Sequence, residues 1–236
     1  ILVESNFTKE EIIKRYNIDT NKIKKINLYY NKFDKFKEPP SNEVKKLIEK
    51  KYFFYPAQFW AHKNHIYIIK ALRILNEKYN KKVNVIFTGS DMGNKNFIKK
   101  EVKTFNLDSQ VFFLNFVTND DLFHLYKNSR ALIMPTYFGP TNIPPIEAME
   151  MNIPIIYSDK KYVKEQFQNA TYELDLDNVK SLVDILLKFE NNEENSNEKL
   201  KNYKEIQNKL SCENNYKILE NMIIEFIHKK ASTWHL

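Results

Sequence analysis

The chain has 236 residues, a formal net charge of +7, and 42% hydrophobic and 14% aromatic residues. This composition excludes an intrinsically disordered protein, and the length suits one large domain or one domain with part of another. A single cysteine, Cys212, excludes an internal disulfide and any multi-cysteine metal site. No apolar run approaches the roughly 20 residues that a membrane-spanning helix needs. Because the chain begins with Ile1 rather than Met, we expect it to be processed or to be part of a longer protein.

Lysine supplies almost all of the positive charge, since arginine occurs only at Arg15, Arg73 and Arg130. A solvated lysine-rich surface, attraction to an anionic membrane face and binding to nucleic acid are all compatible with this charge. The lysines are spread along the chain, and bidentate contacts to bases usually need arginine. We therefore expect no nucleic-acid partner.

The predicted elements begin with a strand at 1–4 and a helix that runs from a Ser5 or Thr8 cap to Tyr16. A strand at 23–30 and a short basic helix at 42–51 follow. Further strands are predicted at 52–56, 83–88, 111–116, 131–135, 153–157 and 171–174, the last at a sheet edge. Helices are predicted at 64–79, 96–105, 119–128 and 145–151, then one ending near 163, then 177–190, 198–210 and 213–230.

The regular alternation of strand and helix from residue 52 indicates an α/β fold. Its strands are almost continuously apolar, which is typical of a Rossmann-like parallel sheet with helices on both faces. Such sheets bind ligands at the carboxyl ends of their strands. The loops that follow the strands at 52–56, 83–88, 111–116 and 131–135 are therefore the predicted binding region.

The most informative stretch is residues 135–149, which read PTYFGPTNIPPIEAM. A strand is predicted to end at Pro135, and a helix to begin at Pro144 or Pro145, because proline suits the first turn of a helix. The free N–H groups and the positive dipole end of such a helix favour an anion such as a diphosphate. Glu147 is placed in the first turn, where its carboxylate either accepts hydrogen bonds from ribose hydroxyls or only complements the dipole.

This stretch, together with NIPIIYSD at 152–159, resembles the C-terminal domain of glycosyltransferase family 4, which contains retaining enzymes of the GT-B fold. The resemblance spans about residues 52–190 and implies that Glu147 holds the nucleotide ribose. Gly139 stands where the family has a glutamate that helps position the donor sugar. The next three positions, usually Gly-Phe-Gly, carry Pro140, Thr141 and Asn142. The resemblance implies donor contacts by these residues and by the N–H groups up to Ile143.

A second match to the family lies in the loop at 54–65, which reads FYPAQFWAHKNH. The family has an arginine and a lysine here that contact the diphosphate. Lys63 matches the lysine and Gln58 replaces the arginine, so one cation fewer is available. The alternative for Lys63 is an exposed lysine beside a helix start. His62 and His65 are interpreted as polar residues at the helix start, because no third metal ligand is evident.

Two further loops complete the predicted site. In the family the backbone of the loop after the strand at 111–116 meets the nucleobase, which implies contacts from Phe116 and Val117, with Asn115 at a family glycine position. Phe116 either stacks on the base or, more commonly for phenylalanine, lies in the core. Gly89 either lets a ligand approach the backbone or forms a tight turn.

We expect no metal and no cofactor, because the nucleoside-diphosphate sugar is a substrate. The Asp175-Leu-Asp177 sequence looks like a metal motif of other glycosyltransferases, but Asp177 is better interpreted as a helix cap. No residue is assigned a catalytic role from the sequence.

The resemblance also implies a domain organisation. Residues 1–20 would be the end of an N-terminal acceptor domain, 21–50 a linker, 51–190 the nucleotide-sugar-binding domain and 191–236 C-terminal helices. The last helix has an apolar face, formed by Ile218, Leu219, Met222, Ile223 and Phe226, and is expected to pack on another surface, usually the acceptor domain. Without that domain the chain is expected to bind donor weakly and to transfer little sugar.

The implied activity is transfer of a hexose-type sugar, with anomeric retention, from a nucleoside diphosphate to a glycan or lipid-linked acceptor of a bacterial surface polysaccharide. The implied location is the cytoplasm, with attraction to the inner membrane face as an additional expectation from the positive charge. The alternative is a non-catalytic nucleotide-sugar-binding or scaffold module. In such a module Gly139, in place of the glutamate, would reflect a loss of catalytic activity.

Overall fold

A computed structural model describes residues 1–27, 38–139, 143–210 and 212–233. The N-terminal segment contains strand β1 (Leu2–Val3), helix α1 (Asn6–Tyr16) and strand β2 (Lys24–Lys25), and β1 pairs in parallel with β2. Ser5 caps α1 as predicted, since its side chain accepts the N–H of Thr8 at 3.0 Å. The strand predicted at 23–30 is shorter, and its last three residues lie outside the described residues.

Helix α2 (Asn42–Ile48) leads into the main sheet. The strands of this sheet are β3 (Tyr52–Pro56), β4 (Asn84–Thr88), β5 (Val111–Leu114), β6 (Leu132–Met134), β7 (Ile155–Ser158) and β8 (Tyr172–Leu174). The helices that follow these strands are α3 (His65–Tyr79), α4 (Lys95–Thr104), α5 (Asn119–Lys127), α6 (Ile143–Glu150), α7 (Lys161–Phe167) and α8 (Lys180–Glu190). The described part of the chain closes with α9 (Ser196–Lys201), α10 (Tyr203–Lys209) and α11 (Cys212–Thr233).

All strand pairs in the main sheet are parallel, in the order β5-β4-β3-β6-β7-β8. The predicted α/β fold is thus confirmed, including the edge position of β8. The chain adds strands from β3 outward to β5 and then returns to place β6 on the other side of β3. The strand order therefore reverses between β3 and β6, and the crevice above such a reversal is where open parallel sheets bind ligands.

The core explains why the strands are so apolar. The first four residues of β3 are fully buried, although their side chains point alternately to opposite faces of the sheet. Helix α3 packs against α4 and α8, while α2 packs against α5 and α10 against α6. Both faces of the sheet are therefore covered, which leaves the ends of the strands as the accessible places for a ligand.

Three predicted helix boundaries are wrong. Helix α6 begins at Ile143, so Glu147 lies in its second turn rather than its first. The helix predicted at 198–210 is two helices, because α9 ends before Asn202 and α10 begins after it. Asp177 does not cap α8, since its backbone N–H donates to the Asp175 carboxylate at 2.9 Å and the helix begins three residues later.

The N-terminal segment is joined to the main domain through Glu165 in α7. Its carboxylate accepts the backbone N–H groups of Asn6 and Phe7, at 2.8 and 3.0 Å, and the ammonium of Lys25 at 2.7 Å. These bonds satisfy N–H groups of the first turn of α1 that have no partner within the helix. The domain boundaries expected from the sequence stay a prediction.

Candidate functional site

The loops after β3 and β6 meet at the reversal of strand order. The backbone carbonyl of His62 accepts the Tyr137 N–H at 3.0 Å and the Thr136 hydroxyl at 3.3 Å. Thr136 is fully buried, and the Phe138 ring stacks on the His62 ring with 4.4 Å between centroids. The structure thus brings together two of the loops that the sequence selects, one carrying Lys63 and the other Gly139.

Lys63 is the last residue of a short 3-10 turn directly before α3. Its carbonyl accepts the Tyr55 hydroxyl at 2.8 Å, which holds the turn against the end of β3. The side chain is half-buried, and this burial lowers the pKa of the Lys63 ammonium. Gln58 is exposed, and its side-chain oxygen accepts the indole N–H of Trp60 at 3.0 Å. Phosphate contacts by Lys63 and Gln58 stay a prediction.

Gly89 follows β4 with a φ of 140°, and a Cβ at this position would lie 2.5 Å from the Ala57 carbonyl oxygen. The loops after β3 and β4 run side by side, because Ala57 and Phe59 donate backbone N–H groups to Thr88 and Ser90 at 3.0 Å. Glycine is therefore required at position 89 because any side chain would clash with the backbone of Ala57. The ligand contact expected of Gly89 stays a prediction.

Glu147 is 93% buried, and its carboxylate is held by a residue that sequence reasoning missed. The Tyr126 hydroxyl, in α5, donates to Oε2 of Glu147 at 2.6 Å. The Tyr126 ring is fully buried and packs edge-on against Phe54, with 5.0 Å between centroids. A buried carboxylate is costly unless it is hydrogen-bonded, so Tyr126 stabilises Glu147 close to the start of α6. The only sequence signal for Tyr126 is its place on the apolar face of α5.

A second residue that sequence reasoning missed is Lys95, the first residue of α4. Its ammonium donates to the Asn115 side-chain oxygen at 2.9 Å and lies 4.9 Å from the centroid of the Phe59 ring. Lys95 is only 6% exposed, and burial lowers the pKa of its ammonium. The Asn115 backbone carbonyl also accepts the Gly89 N–H at 3.3 Å. A buried cation therefore connects the loops that follow β3, β4 and β5.

The residues after β5 divide between solvent and core. Phe116 is 87% exposed, so its interpretation as a core phenylalanine is wrong, and its ring faces solvent at the carboxyl end of the sheet. Val117 is half-buried and packs against the core. Stacking of a base on Phe116, and the backbone contact expected of Val117, stay predictions.

The loop before α6 is described in part. Gly139 has a φ of 125°, in the region that favours glycine, and Ile143 is 42% exposed at the first position of α6. Pro140, Thr141 and Asn142 lie outside the described residues. Their donor contacts therefore stay predictions.

The two histidines near Lys63 have different environments. His65 is fully buried and stacks on Phe59 with 4.4 Å between ring centroids, and this burial lowers the His65 pKa to about 3. The predicted position at the helix start is confirmed, because His65 is the first residue of α3, but its ring is buried in the aromatic core. Among the described residues, no group of three or more His, Cys, Asp or Glu side chains could hold a metal ion. Metal-independent binding of the donor stays a prediction.

Comparison with known proteins identifies the family. Residues 36–207 match the family model described as glycosyl transferases group 1. The chain belongs to this family. It is 31% identical, over 181 residues, to the O-antigen chain mannosyltransferase RfbU of Salmonella typhimurium, a match covering 77% of this chain and 48% of that protein. The chain spans about half the length of the curated relatives it matches.

Solved structures support the fold. A glycosyltransferase from Rickettsia africae superimposes with a TM-score of 0.76 at 19% identity, covering 94% of this chain and 62% of that one. Anabaena Alr3699/HepE in complex with UDP-glucose gives the same TM-score and coverage at 15% identity. The chain therefore shares a Rossmann-like α/β fold with GT-B glycosyltransferases. Across the described ranges, each helix is too short or too polar to span a bilayer.

Proposed function

We propose that this chain binds a nucleoside-diphosphate sugar and supplies the donor-binding half of a retaining glycosyltransferase. The observation that carries the proposal is the position of Lys63 and the start of α6 on either side of the strand reversal, with Glu147 one turn further along the helix. A lysine and the N-terminal end of a helix both favour a diphosphate. A carboxylate beside them suits the hydroxyls of a ribose.

The main requirement of the proposed reaction is that the protein stabilises the negative charge of the departing diphosphate. The bond between the anomeric carbon and the diphosphate oxygen breaks, and the acceptor hydroxyl oxygen bonds to that carbon on the same face. The hydroxyl proton passes to the departing phosphate. The N–H of Ile143 and the positive dipole end of α6, together with Lys63, would stabilise the negative charge that develops on the leaving group. Pro144 and Pro145 have no backbone N–H and contribute no donor. Glu147, fixed by Tyr126, would orient the nucleoside so that the sugar faces the acceptor.

The relatives suggest the substrate class. RfbU is named as a mannosyltransferase of the O-antigen chain, so a hexose donor and a growing, lipid-linked surface glycan are the proposed substrates. Such an acceptor would place the protein in the cytoplasm at the inner membrane face, where the net charge of +7 would favour anionic lipid.

The acceptor domain is proposed to pack against α11. Five apolar residues of this helix are between 46% and 66% exposed, namely Tyr216, Ile223, Ile224, Phe226 and Ile227. A contiguous exposed apolar surface of this kind usually marks a contact with another part of a protein or with a membrane.

A thermal-shift screen of the purified chain with UDP, GDP and their hexose derivatives tests the proposal. We expect at least one nucleotide to raise the melting temperature through binding to the folded state. The shift should disappear in Lys63→Met and persist in the control Lys78→Met, which changes an exposed lysine at the end of α3. If no nucleotide stabilises the chain, donor binding is refuted. A shift that chelator abolishes would instead contradict metal-independent binding.

The alternative, a non-catalytic binding module, rests on Gly139, which offers no side chain to the donor sugar. Both functions predict nucleotide binding, so binding alone does not separate them. Sugar transfer by the same chain joined to its acceptor half, lost in Glu147→Gln, would support the enzyme. Intact nucleotide binding with no transfer to a surface-glycan acceptor would support the module.

A further inference from the structure

We propose that Asn115, held in one orientation by Lys95, selects the nucleobase of the donor by donating a hydrogen bond to a carbonyl group of the base. The preferred bases are then uracil and guanine, which carry a carbonyl at the position where cytosine and adenine carry an amino group. The inference rests on the proposed function and deepens it, because it adds a specificity-determining side chain to the site. The contacts expected of this loop, from Phe116 and Val117, do not include it.

The amide group of Asn115 has a defined orientation. The Lys95 ammonium donates to the Asn115 side-chain oxygen at 2.9 Å. An ammonium has only hydrogen-bond donors, so the amide atom that faces it must be the oxygen and not the nitrogen. The amide nitrogen therefore points away from Lys95, and within the described ranges it donates to no protein acceptor. Asn115 thus presents N–H donors on the side away from the lysine.

Lys95 is fixed by its own surroundings. It is the first residue of α4 and is only 6% exposed. Its ammonium lies 4.9 Å from the centroid of the Phe59 ring and 3.5 Å from the Gly89 carbonyl oxygen. A buried ammonium that loses an acceptor incurs a desolvation penalty, so the flipped amide, with its nitrogen toward Lys95, is disfavoured. The protein itself therefore sets the orientation of Asn115 before a nucleotide binds.

Asn115 is also accessible at the carboxyl end of the sheet. Its backbone carbonyl accepts the Gly89 N–H at 3.3 Å, which ties the loop after β5 to the loop after β4. The residue is exposed, as is the adjacent Phe116, the predicted stacking partner of the base. A side chain that offers N–H donors to solvent therefore lies in the loop where the base is expected.

The position of Asn115 favours the base over the other parts of the donor. Lys63, the proposed contact for the diphosphate, follows β3, whereas Asn115 follows β5, two strands and so about 10 Å away. The base is the end of a nucleoside diphosphate that lies farthest from its terminal phosphate. A donor with its diphosphate near Lys63 would therefore meet Asn115 with its base.

The donor character of Asn115 sets the predicted selectivity. The O4 atom of uracil and the O6 atom of guanine accept hydrogen bonds, whereas the N4 group of cytosine and the N6 group of adenine donate them. An amino group facing the Asn115 amide nitrogen would leave both groups without an acceptor, which weakens binding. The site should therefore discriminate between bases by the group at this one position.

Calorimetric titrations of the full chain with two matched pairs of nucleotides test this inference. UDP and CDP share the ribose and the diphosphate, as do inosine diphosphate and ADP. Within each pair one base carries a carbonyl where the other carries an amino group. In the pair that binds more tightly, we expect the carbonyl nucleotide to exceed the amino nucleotide in affinity about tenfold.

Three variants connect this preference to the two side chains. Asn115→Asp should reverse the preference, because one carboxylate oxygen remains on Lys95 while the other accepts the amino group of the base. In Lys95→Met the amide is free to turn, so the ratio of the two affinities should fall toward one. The control Lys100→Met makes the same charge change at an exposed position of α4 and should keep the native ratio.

The outcomes separate this inference from the proposed function. Equal affinities of the native chain for the two members of each pair, or a native ratio in Asn115→Asp, would overturn the inference while donor binding stands. A uniform loss of affinity for all nucleotides in Lys95→Met, with an unchanged ratio, would make Lys95 a contact for the phosphates and also overturn it. No binding of these four nucleotides or of GDP would refute the proposed function and this inference with it.

Discussion

The Tyr126 hydroxyl lies 2.6 Å from Oε2 of Glu147, and this bond fixes a buried carboxylate at the edge of the candidate donor site. The two residues are 21 positions apart and belong to α5 and α6, which are joined along the chain through strand β6. The geometry of Glu147 is therefore set by tertiary packing.

Replacing Tyr126 with phenylalanine should weaken nucleotide binding about tenfold, because a hydrogen bond to a charged group contributes about 1.5–3 kcal/mol. The matched control is Tyr52→Phe, which removes a buried hydroxyl that donates to the Leu125 carbonyl at 2.7 Å. Both variants should lower the free energy of unfolding, whereas only Tyr126→Phe should lower the affinity in calorimetric titrations. Equal affinities for the two variants would show that Tyr126 does not position Glu147.

Gly89→Ala should destabilise the chain much more than Gly93→Ala. Both glycines have positive φ, 140° and 92°, but a Cβ at Gly89 meets the Ala57 backbone while a Cβ at Gly93 meets nothing within 4 Å. Backbone strain alone costs about 1–3 kcal/mol, and the clash adds to it only at Gly89. Urea unfolding measures the difference, and similar losses for the two variants would contradict the close approach of the loops.

Restoring the family's glutamate at position 139 should not improve the site. The φ of 125° at Gly139 is one that residues with a Cβ rarely adopt, so Gly139→Glu should cost about 1–3 kcal/mol of stability. We expect a lower melting temperature and no gain in affinity for a nucleotide sugar over the free nucleotide. A tighter donor complex in Gly139→Glu would show that this loop readily accepts the family conformation.

His65 should make the chain sensitive to acid. Its pKa is about 3 in the folded state and near 6.5 when unfolded, so between these values the unfolded chain binds more protons. Stability from this group is complete above about pH 6.5 and falls with decreasing pH by up to about 1.4 kcal/mol per unit. In His65→Phe, urea unfolding between these two pH values should show a shallower decline than in the native chain. An unchanged slope would show that His65 is not buried as a neutral ring.

Much of the fold follows from local patterns. The sequence predicts β3 with its observed bounds, because a fully buried parallel strand needs an uninterrupted apolar run and Pro56 ends it. The same patterns place Lys63 and Gly139 in loops at the carboxyl ends of strands β3 and β6. Helix starts are predicted less well, as at α6, because Ile143 gives no capping signal.

The contacts inside the site could not be predicted from local patterns. Tyr126 and Lys95 look like ordinary members of amphipathic helices, and their partners lie 21 and 20 residues away. The stacking of Phe138 on His62 joins loops that are distant in sequence. The sequence alone does not show why the Tyr126 hydroxyl and the Lys95 ammonium are buried. Their hydrogen-bond partners become known only once the order of the strands in the sheet is known.

Isothermal titration of the chain with UDP and with GDP, comparing the native sequence with Glu147→Gln, tests the central claim most directly. We predict that one nucleotide binds the native chain with one-to-one stoichiometry and that Glu147→Gln, which keeps the size of the side chain but removes its charge, weakens binding about tenfold. Equal affinities of the two proteins for the nucleotide, or no binding to either, would contradict the assignment of this site to a nucleoside-diphosphate sugar.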